Sequence, residues 1–517
     1  MVETEIIATT DSRFRGKDDS GASLTMRLPQ LIIIAALLLG IAPLLMLLKQ
    51  AGSTLYFDST ILDILAFTLK QAALSTLLSV IPGIFVARAL SRVNFAGRHM
   101  LLALFVLPMA MPAIVAVLGV TALIGNAGPL PGLISPYGLS GILLVHVFFN
   151  LPMAARLFYQ ALQTAPPEGY RLAAQLGFSE FATFKYVEWP VLKAVMAQVT
   201  SIIFLLCAAS FVVVLTLGGA SATTLEVAIY QSLRMDFDPP RALALSLLQV
   251  GLCTALIGSA QATFTQDQGF TTLHHAQNRY IGQSQAGFMI NAAIITLSAM
   301  LVLPVLGIIV WRGMANLHFT AITFQALLTS LGLGFVSAII TFMMGWPLAK
   351  APDTPSQLLS LAGLIMPPAV LAAGWFLVLH KLGDSILLTS IFIVSLNSLM
   401  ALPYTVAALR TGQQHLAPLR SLQSQLGLAG WTAFQIIEWP LLRHAATQAF
   451  LMALVLSLGD LTAITLLGSG GIITLPTLLH TEMGHYRGAQ AEGTALLLLL
   501  VCGGLTYFAQ HVGTRDD

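Results

Sequence analysis

Apolar residues run for about twenty positions at a time along this chain, and short polar intervals separate the runs. Twelve such runs read as membrane-crossing helices. The first six lie at roughly 29–48, 65–88, 100–124, 139–161, 195–217 and 242–262, and the second six at roughly 287–310, 325–348, 358–380, 385–408, 445–467 and 490–510. About twenty apolar residues are what a helix needs to cross the hydrocarbon core. A barrel strand would instead alternate polar and apolar residues over about ten positions. The expected fold class is therefore all-α and polytopic, with twelve transmembrane helices and surrounding membrane lipid. The longest polar interval between runs, 263–286, is rich in Gln, Thr and Gly and reads as a linker. It divides the chain into a tail (1–28), a first transmembrane domain (29–262) and a second (287–517). The first 27 residues are polar and lack the apolar centre of a signal peptide.

The two halves repeat one another. QLGFSEFATFKYVEWP (175–190) and QLGLAGWTAFQIIEWP (425–440) share their spacing, and WPVLK and WPLLR continue the match. LPMAARL (151–157) resembles LPYTVAAL (402–409), and LTLGGASATTLEVAIY (215–230) resembles ITLLGSGGIITLPTLL (464–479). LPMAMPAIVAVLG (107–119) similarly pairs with LIMPPAVLAAGW (364–375). Such matches indicate two homologous, parallel six-span halves around a pseudo-two-fold axis. Six spans separate the motif copies, so both copies lie on the same membrane face. Duplicated packing alone would preserve the apolar helices and let the loops drift. The close match of a polar loop points to a duplicated partner surface.

Composition sharpens this picture. The chain is 56% hydrophobic and 9% charged, against about 25% charged residues in a soluble domain. A net charge of +2 gives no polybasic character, and no nucleic-acid partner is expected. With the N-terminus placed in the cytoplasm, seventeen Lys and Arg residues fall on the cytoplasmic side and six on the other. The positive-inside rule then puts both termini and both loops in the cytoplasm. Cys207, Cys253 and Cys502 lie inside apolar runs and read as small buried hydrophobes. No metal-ligand spacing, catalytic constellation or phosphate-binding G-x-x-x-x-G-K-[ST] motif is present, so no enzyme activity, metal or cofactor is expected.

The loop resembles a cytoplasmic motif of binding-protein-dependent ABC importer permeases, E-A-A-x3-G-x9-I-x-L-P. Gly177, Val187, Trp189 and Pro190 match its second part, as do Gly427, Ile437, Trp439 and Pro440. The resemblance covers nearly the whole chain and is closest to thiamine and ferric-iron permeases with fused halves. It implies an inner-membrane permease, a separate ABC ATPase in two copies, and a periplasmic solute-binding protein. The implied coupling residues are Arg171, Ala173, Gly177, Glu188, Trp189 and Pro190, and Ser421, Gln423, Gly427, Glu438, Trp439 and Pro440. Arg171-Leu172-Ala173 and Ser421-Leu422-Gln423 replace the family's Glu-Ala-Ala, so its leading carboxylate is missing from both copies.

The residues suit a docking helix independently of the resemblance. Gly177 and Gly427 permit a helix break and a close backbone approach. Phe178, Phe181, Phe184 and Val187 form an apolar stripe, with Glu180, Lys185 and Glu188 elsewhere. Pro190 and Pro440 disfavour helical geometry at the preceding tryptophans, which predicts a break before the next span. Trp189 and Trp439 suit either an interfacial anchor or a partner contact.

At membrane depth, His146 and Asn397 each stand six residues before a proline, and Asn150 is nearby. These groups suit either a translocation path or hydrogen bonds between helices. In the outer segments 218–241 and 468–489, Glu226, Asp236, Asp238 and Glu482 are candidate contacts for the binding protein, or residues of a solvated loop. The alternative function is an ion-gradient-driven secondary transporter. It would need carboxylates inside the spans, and Asp63 and Asp460 are placed near span ends.

Overall fold

The computed structural model describes residues 30–51, 58–219, 222–262, 285–350, 366–383, 385–416, 419, 425, 427, 430–468, 471–485 and 487–511. In the first half the helices are α1 (Gln30–Ala51), α2 (Ser59–Arg92), α3 (Arg98–Leu104), α4 (Leu107–Ala110), α5 (Ala113–Ile124) and α6 (Gly138–Gln163). They continue as α7 (Pro167–Gln175), α8 (Glu180–Thr183), α9 (Trp189–Ala208), α10 (Val212–Leu217), α11 (Leu225–Arg234) and α12 (Pro239–Ala262). The second half runs α13 (Gln285–Ala315), α14 (Ala321–Lys350), α15 (Pro368–Leu382), α16 (Ile386–Leu416) and α17 (Gly430–Ala433). It ends with α18 (Trp439–Leu458), α19 (Thr462–Leu467), α20 (Leu475–Gly484) and α21 (Gly488–His511).

Among the described residues ten helices are long and apolar enough to cross a membrane, or eleven if one bent pair counts as a span. The protein is thus all-helical and polytopic, and it departs from twelve straight spans at defined places. Residues 100–124 are not one helix. The chain turns by 110° between Ala110 and Ala113, where Met111 is extended and Pro112 cannot donate a backbone hydrogen bond. The runs predicted at 195–217 and 445–467 each contain a break, after Ala208 and after Leu458. Of the run at 358–380, residues 358–365 lie outside the described residues, as do the tail 1–28 and linker positions 263–284.

The two halves use matched packing. In α2, Gly83 leaves so little space that an added Cβ would lie 2.7 Å from the Ala154 Cβ of α6. In α14, Gly345 takes the same place against Thr405 of α16, at 2.9 Å. Small residues let helix backbones approach where no hydrophobic effect drives association. The Thr68 hydroxyl of α2 accepts the Leu225 amide at 3.1 Å, and the Ser330 hydroxyl of α14 accepts the Leu475 amide at 2.8 Å. Each bond satisfies an orphan donor at the start of a short helix.

The first helix of each half packs against the other half. Leu47 and Ala51 of α1 are buried with Val370, Ala373 and Leu377 of α15, and Gly374 abuts the Pro43 backbone. Reciprocally, α13 presses Ile309 onto Gly119 of α5, where a Cβ would meet it at 2.6 Å. Arg312 of α13 also donates to the Ala127 carbonyl at 2.7 Å. The outward surface stays apolar: Leu297, Met314 and Met343 are about two-thirds exposed, as lipid-facing positions require.

Candidate functional site

The repeated loop is built on glycine geometry. α7 ends in a Schellman motif: Gly177 N–H donates to the Ala174 carbonyl at 3.2 Å, and Phe178 N–H to the Ala173 carbonyl at 2.9 Å. Gly177 has φ +66° and Gly427 φ +64°, a region that side-chain-bearing residues rarely adopt. A Cβ at either position would meet nothing within 4 Å. The glycines therefore serve conformation, and the expected close backbone approach is not found. Ser179 then caps α8, its hydroxyl accepting the Ala182 amide at 3.2 Å.

The predicted break before Pro190 and Pro440 is also absent. Residues Phe184–Glu188 and Phe434–Glu438 form single π-turns that run directly into α9 and α18. Trp189 N–H reaches back five residues to Phe184, and Trp439 to Phe434. Trp189 and Trp439 keep helical torsions, at φ −60° and −62°. The wider turn re-registers the hydrogen bonds where proline has no N–H to offer, so the chain continues as a helix. Phe184 and Trp189 rings sit 5.9 Å apart, as do Phe434 and Trp439.

Ion pairs fix each loop to the end of a spanning helix. Glu188 is fully buried and accepts from Arg88 Nε of α2 at 2.6 Å. Glu438 accepts from Lys350 Nζ of α14, also at 2.6 Å. The cation positions correspond: Arg88 follows Gly83 by five residues and Lys350 follows Gly345 by five. The first loop carries more. Arg88 also donates to Glu180 at 2.7 Å, and Arg92 lies 3.4 Å from Glu180 and 3.9 Å from Glu188. The Arg92 guanidinium further faces the Tyr170 ring of α7 at 5.6 Å. In the second copy Gly430 stands where Glu180 would be.

With Glu180 and Glu188 turned toward α2, the first loop presents apolar side chains to solvent. Leu172, Leu176, Phe181 and Tyr186 are each more than half exposed. Arg171 and Pro190 are exposed beside them, whereas Ala173 is buried. The expected stripe is thus divided: Phe181 points out, while Phe178, Phe184 and Val187 are partly covered. In the second loop Ile436 and Trp439 are exposed, Pro440 likewise, and Ser421 and Gln423 lie outside the described residues.

The candidate membrane-depth groups are all engaged. His146 lies between the Ser75 hydroxyl (Nδ1, 2.9 Å) and the Ser210 hydroxyl (Nε2, 2.9 Å). Asn150 donates to the Cys207 Sγ at 3.2 Å, and Asn397 donates to the Ser457 hydroxyl at 2.9 Å. Of the four acids proposed for a binding-protein contact, Asp236 alone is exposed. Asp238 accepts the Arg241 amide at 3.1 Å and caps α12. Glu226 is completely buried, accepting the Ala369 amide at 3.3 Å at the start of α15, so it joins the halves instead of facing outward. Glu482 is buried too; burial pushes its carboxyl up, opposed by a hydrogen bond from Thr494 and by the Arg487 charge. Glu226 and Glu482 followed polar-looking stretches, and no local signal marks the cover that other helices give them. No group of three or more possible metal ligands occurs among the described residues.

A bundle of spanning helices with interior breaks and two anchored loops is the architecture of a membrane permease, and sequence relatives agree. The chain is 38% identical over 484 residues to the thiamine transport system permease protein ThiP of Brucella abortus (strain 2308), covering 88% of each chain. It is 38% identical to the ThiP of Escherichia coli (strain K12) over 470 residues, 86% of this chain and 88% of that one. A ferric-iron permease, FbpB 2 of Haemophilus influenzae, is more distant, at 24% identity over 87% of this chain and 90% of its own length. No family model matches. The protein is therefore a transport permease of the ABC importer class and not itself an enzyme. Within that class it belongs to the family of thiamine transport system permeases.

Proposed function

We propose that this chain forms the translocation path of an ATP-driven thiamine importer in a bacterial inner membrane, and that the two repeated loops couple it to a separate ATPase. The observation that carries the coupling is the first loop itself. Glu180 and Glu188 are engaged in ion pairs with α2, and Leu172, Leu176, Phe181 and Tyr186 are left exposed. An ion-anchored helix with an uncovered apolar face suits insertion into a partner's cleft and transmits force to the spanning helix that anchors it. Ile436 and Trp439 offer a smaller second face, so two ATPase copies would make unequal contacts. The charge distribution supports cytoplasmic loops and termini. Asp236, on the opposite face, is available to a periplasmic binding protein. The residue ranges 29–262 and 287–517 act as the two transport domains, and His146, Asn150 and Asn397 mark the helices that border the path. The name of the relatives supports thiamine as the solute.

The test is uptake of radiolabelled thiamine into proteoliposomes holding the permease, its ATPase and its binding protein. ATP-dependent uptake is expected, and Phe181→Glu is expected to abolish it while ATPase association falls. Uptake driven by an ion gradient without the ATPase would refute the assignment.

A further inference from the structure

Both halves interrupt a spanning helix at the same station. α9 stops at Ala208 and α10 starts at Val212; α18 stops at Leu458 and α19 starts at Thr462. In the first half the station lies near mid-membrane. Ser210 bonds His146, which bonds Ser75, and Ser75 sits at the middle of the 34-residue helix α2. That is about 20 Å along the helix axis from the Arg88 charge at its loop end. Asp460 holds the position in the second half, 250 residues after Ser210. Irregular backbone at this depth is tolerated where it is buried in protein or lines a cavity, and transporters place solute sites at such breaks.

The two stations are chemically different. Ser210 is occupied by His146. The corresponding Asn397 turns instead to Ser457, one turn before Asp460. Asp460 Oδ1 accepts the Thr462 and Ala463 amides, at 3.0 and 3.3 Å. Its Oδ2 is buried with no hydrogen-bond partner among the described residues, and no Lys or Arg there forms an ion pair with it. Gly459 faces Pro112 of the first half at 3.4–3.6 Å from its Cβ position. Pro112 marks the 110° break before α5, so two helix breaks from opposite halves meet beside this carboxylate.

We infer that Asp460 is the point in the translocation path that receives the positive charge of the solute, an organic cation. The inference rests on the reading that thiamine is carried, since its thiazolium nitrogen is permanently charged. A carboxylate oxygen without a partner is costly at this depth. A desolvated cation passing between the halves would offset that cost and its own at once. The bland role, capping α19 through Oδ1, uses one oxygen and leaves the other unexplained. Serine at Ser210 shows that the turn forms without a carboxylate.

Asp460→Ser separates the two roles, because serine is itself a good cap and is the residue the first half uses. It should yield folded, monodisperse protein, while kcat/KM for thiamine uptake falls about ten- to a hundred-fold, the worth of a charged hydrogen bond. If Asp460→Ser fails to fold, Asp460→Asn keeps the shape and removes the charge. A parallel arm labels Asp460→Cys with a membrane-impermeant thiol reagent. The three native cysteines are buried, so labelling in at least one nucleotide state, slowed by thiamine, is expected. Wild-type uptake by either neutral variant, or no labelling in any state, overturns the inference. If wild-type protein carries no thiamine, the functional reading fails instead. Labelling of Asp460→Cys, with protection tested by other organic cations, then decides the role of Asp460.

Discussion

The unequal anchoring of the two loops is open to a direct test by truncating one acid in each. Glu188→Ala removes a fully buried carboxylate from an arginine that is only 15% exposed. Breaking a buried pair strands the remaining charge, typically at about 3–5 kcal/mol. Arg88 keeps Glu180, itself 25% exposed, so the low end applies: about 3 kcal/mol, or roughly a hundred-fold in the opening equilibrium of the loop. Glu438→Ala breaks a pair whose members are 22% and 37% exposed. Solvent screens such a pair, and at most about 1 kcal/mol, or roughly five-fold, is expected. The assay is amide hydrogen exchange in lipid nanodiscs, read over 180–189 in the first variant and 430–439 in the second. Local opening governs exchange in such segments. Equal acceleration in the two loops, or none in Glu188→Ala, would refute the claim that buried ion pairs hold the first loop more tightly.

Three further outcomes follow from the geometry. At Gly177 the demand is a positive φ with open space around it, so Gly177→Asn should retain coupled uptake better than Gly177→Val, for which left-handed backbone costs about 1–2 kcal/mol or more. Replacing Thr68 or Ser330 by Ala leaves a buried amide unpaired, at about 1–3 kcal/mol each; thermal unfolding in detergent should show comparable losses, with Thr68→Ser recovering most of the first. Gly83→Ala forces α2 and α6 apart and should cost about 1–3 kcal/mol, whereas Gly307→Ala, where nothing lies within 4 Å, should leave the melting temperature unchanged.

Much of the fold was legible because the bilayer demands long apolar runs and duplication leaves a visible echo. The helix breaks were not, since a run such as 445–467 stays apolar across Gly459 and Asp460 and hydropathy does not register backbone direction. Asp460 accordingly looked like a span-end residue. The prolines of the EWP endings misled in the opposite sense: their usual effect on the preceding residue was absorbed by a π-turn that no spacing rule announces. Glu188 shows the limit of helical periodicity. Its partner Arg88 lies a hundred residues away, and local pattern placed the acid only off the apolar stripe. The loop as a candidate site was readable from its repetition; which of its side chains face outward depended on that distant partner.

The reciprocal exchange of first helices has a consequence in time. α5 is made early, but the helix that covers Gly119 contributes Ile309, about 190 residues later. At a synthesis rate of roughly 5–20 residues per second, the N-terminal half stands uncovered for about ten to forty seconds on every ribosome. α1, in turn, waits still longer for its seat on α15. The first half is not complete when its own last residue emerges, so the nascent chain holds unfinished surfaces in the membrane until its sequel arrives. Carrying both halves on one chain guarantees that the sequel is always the right one, at the right place, in a single copy.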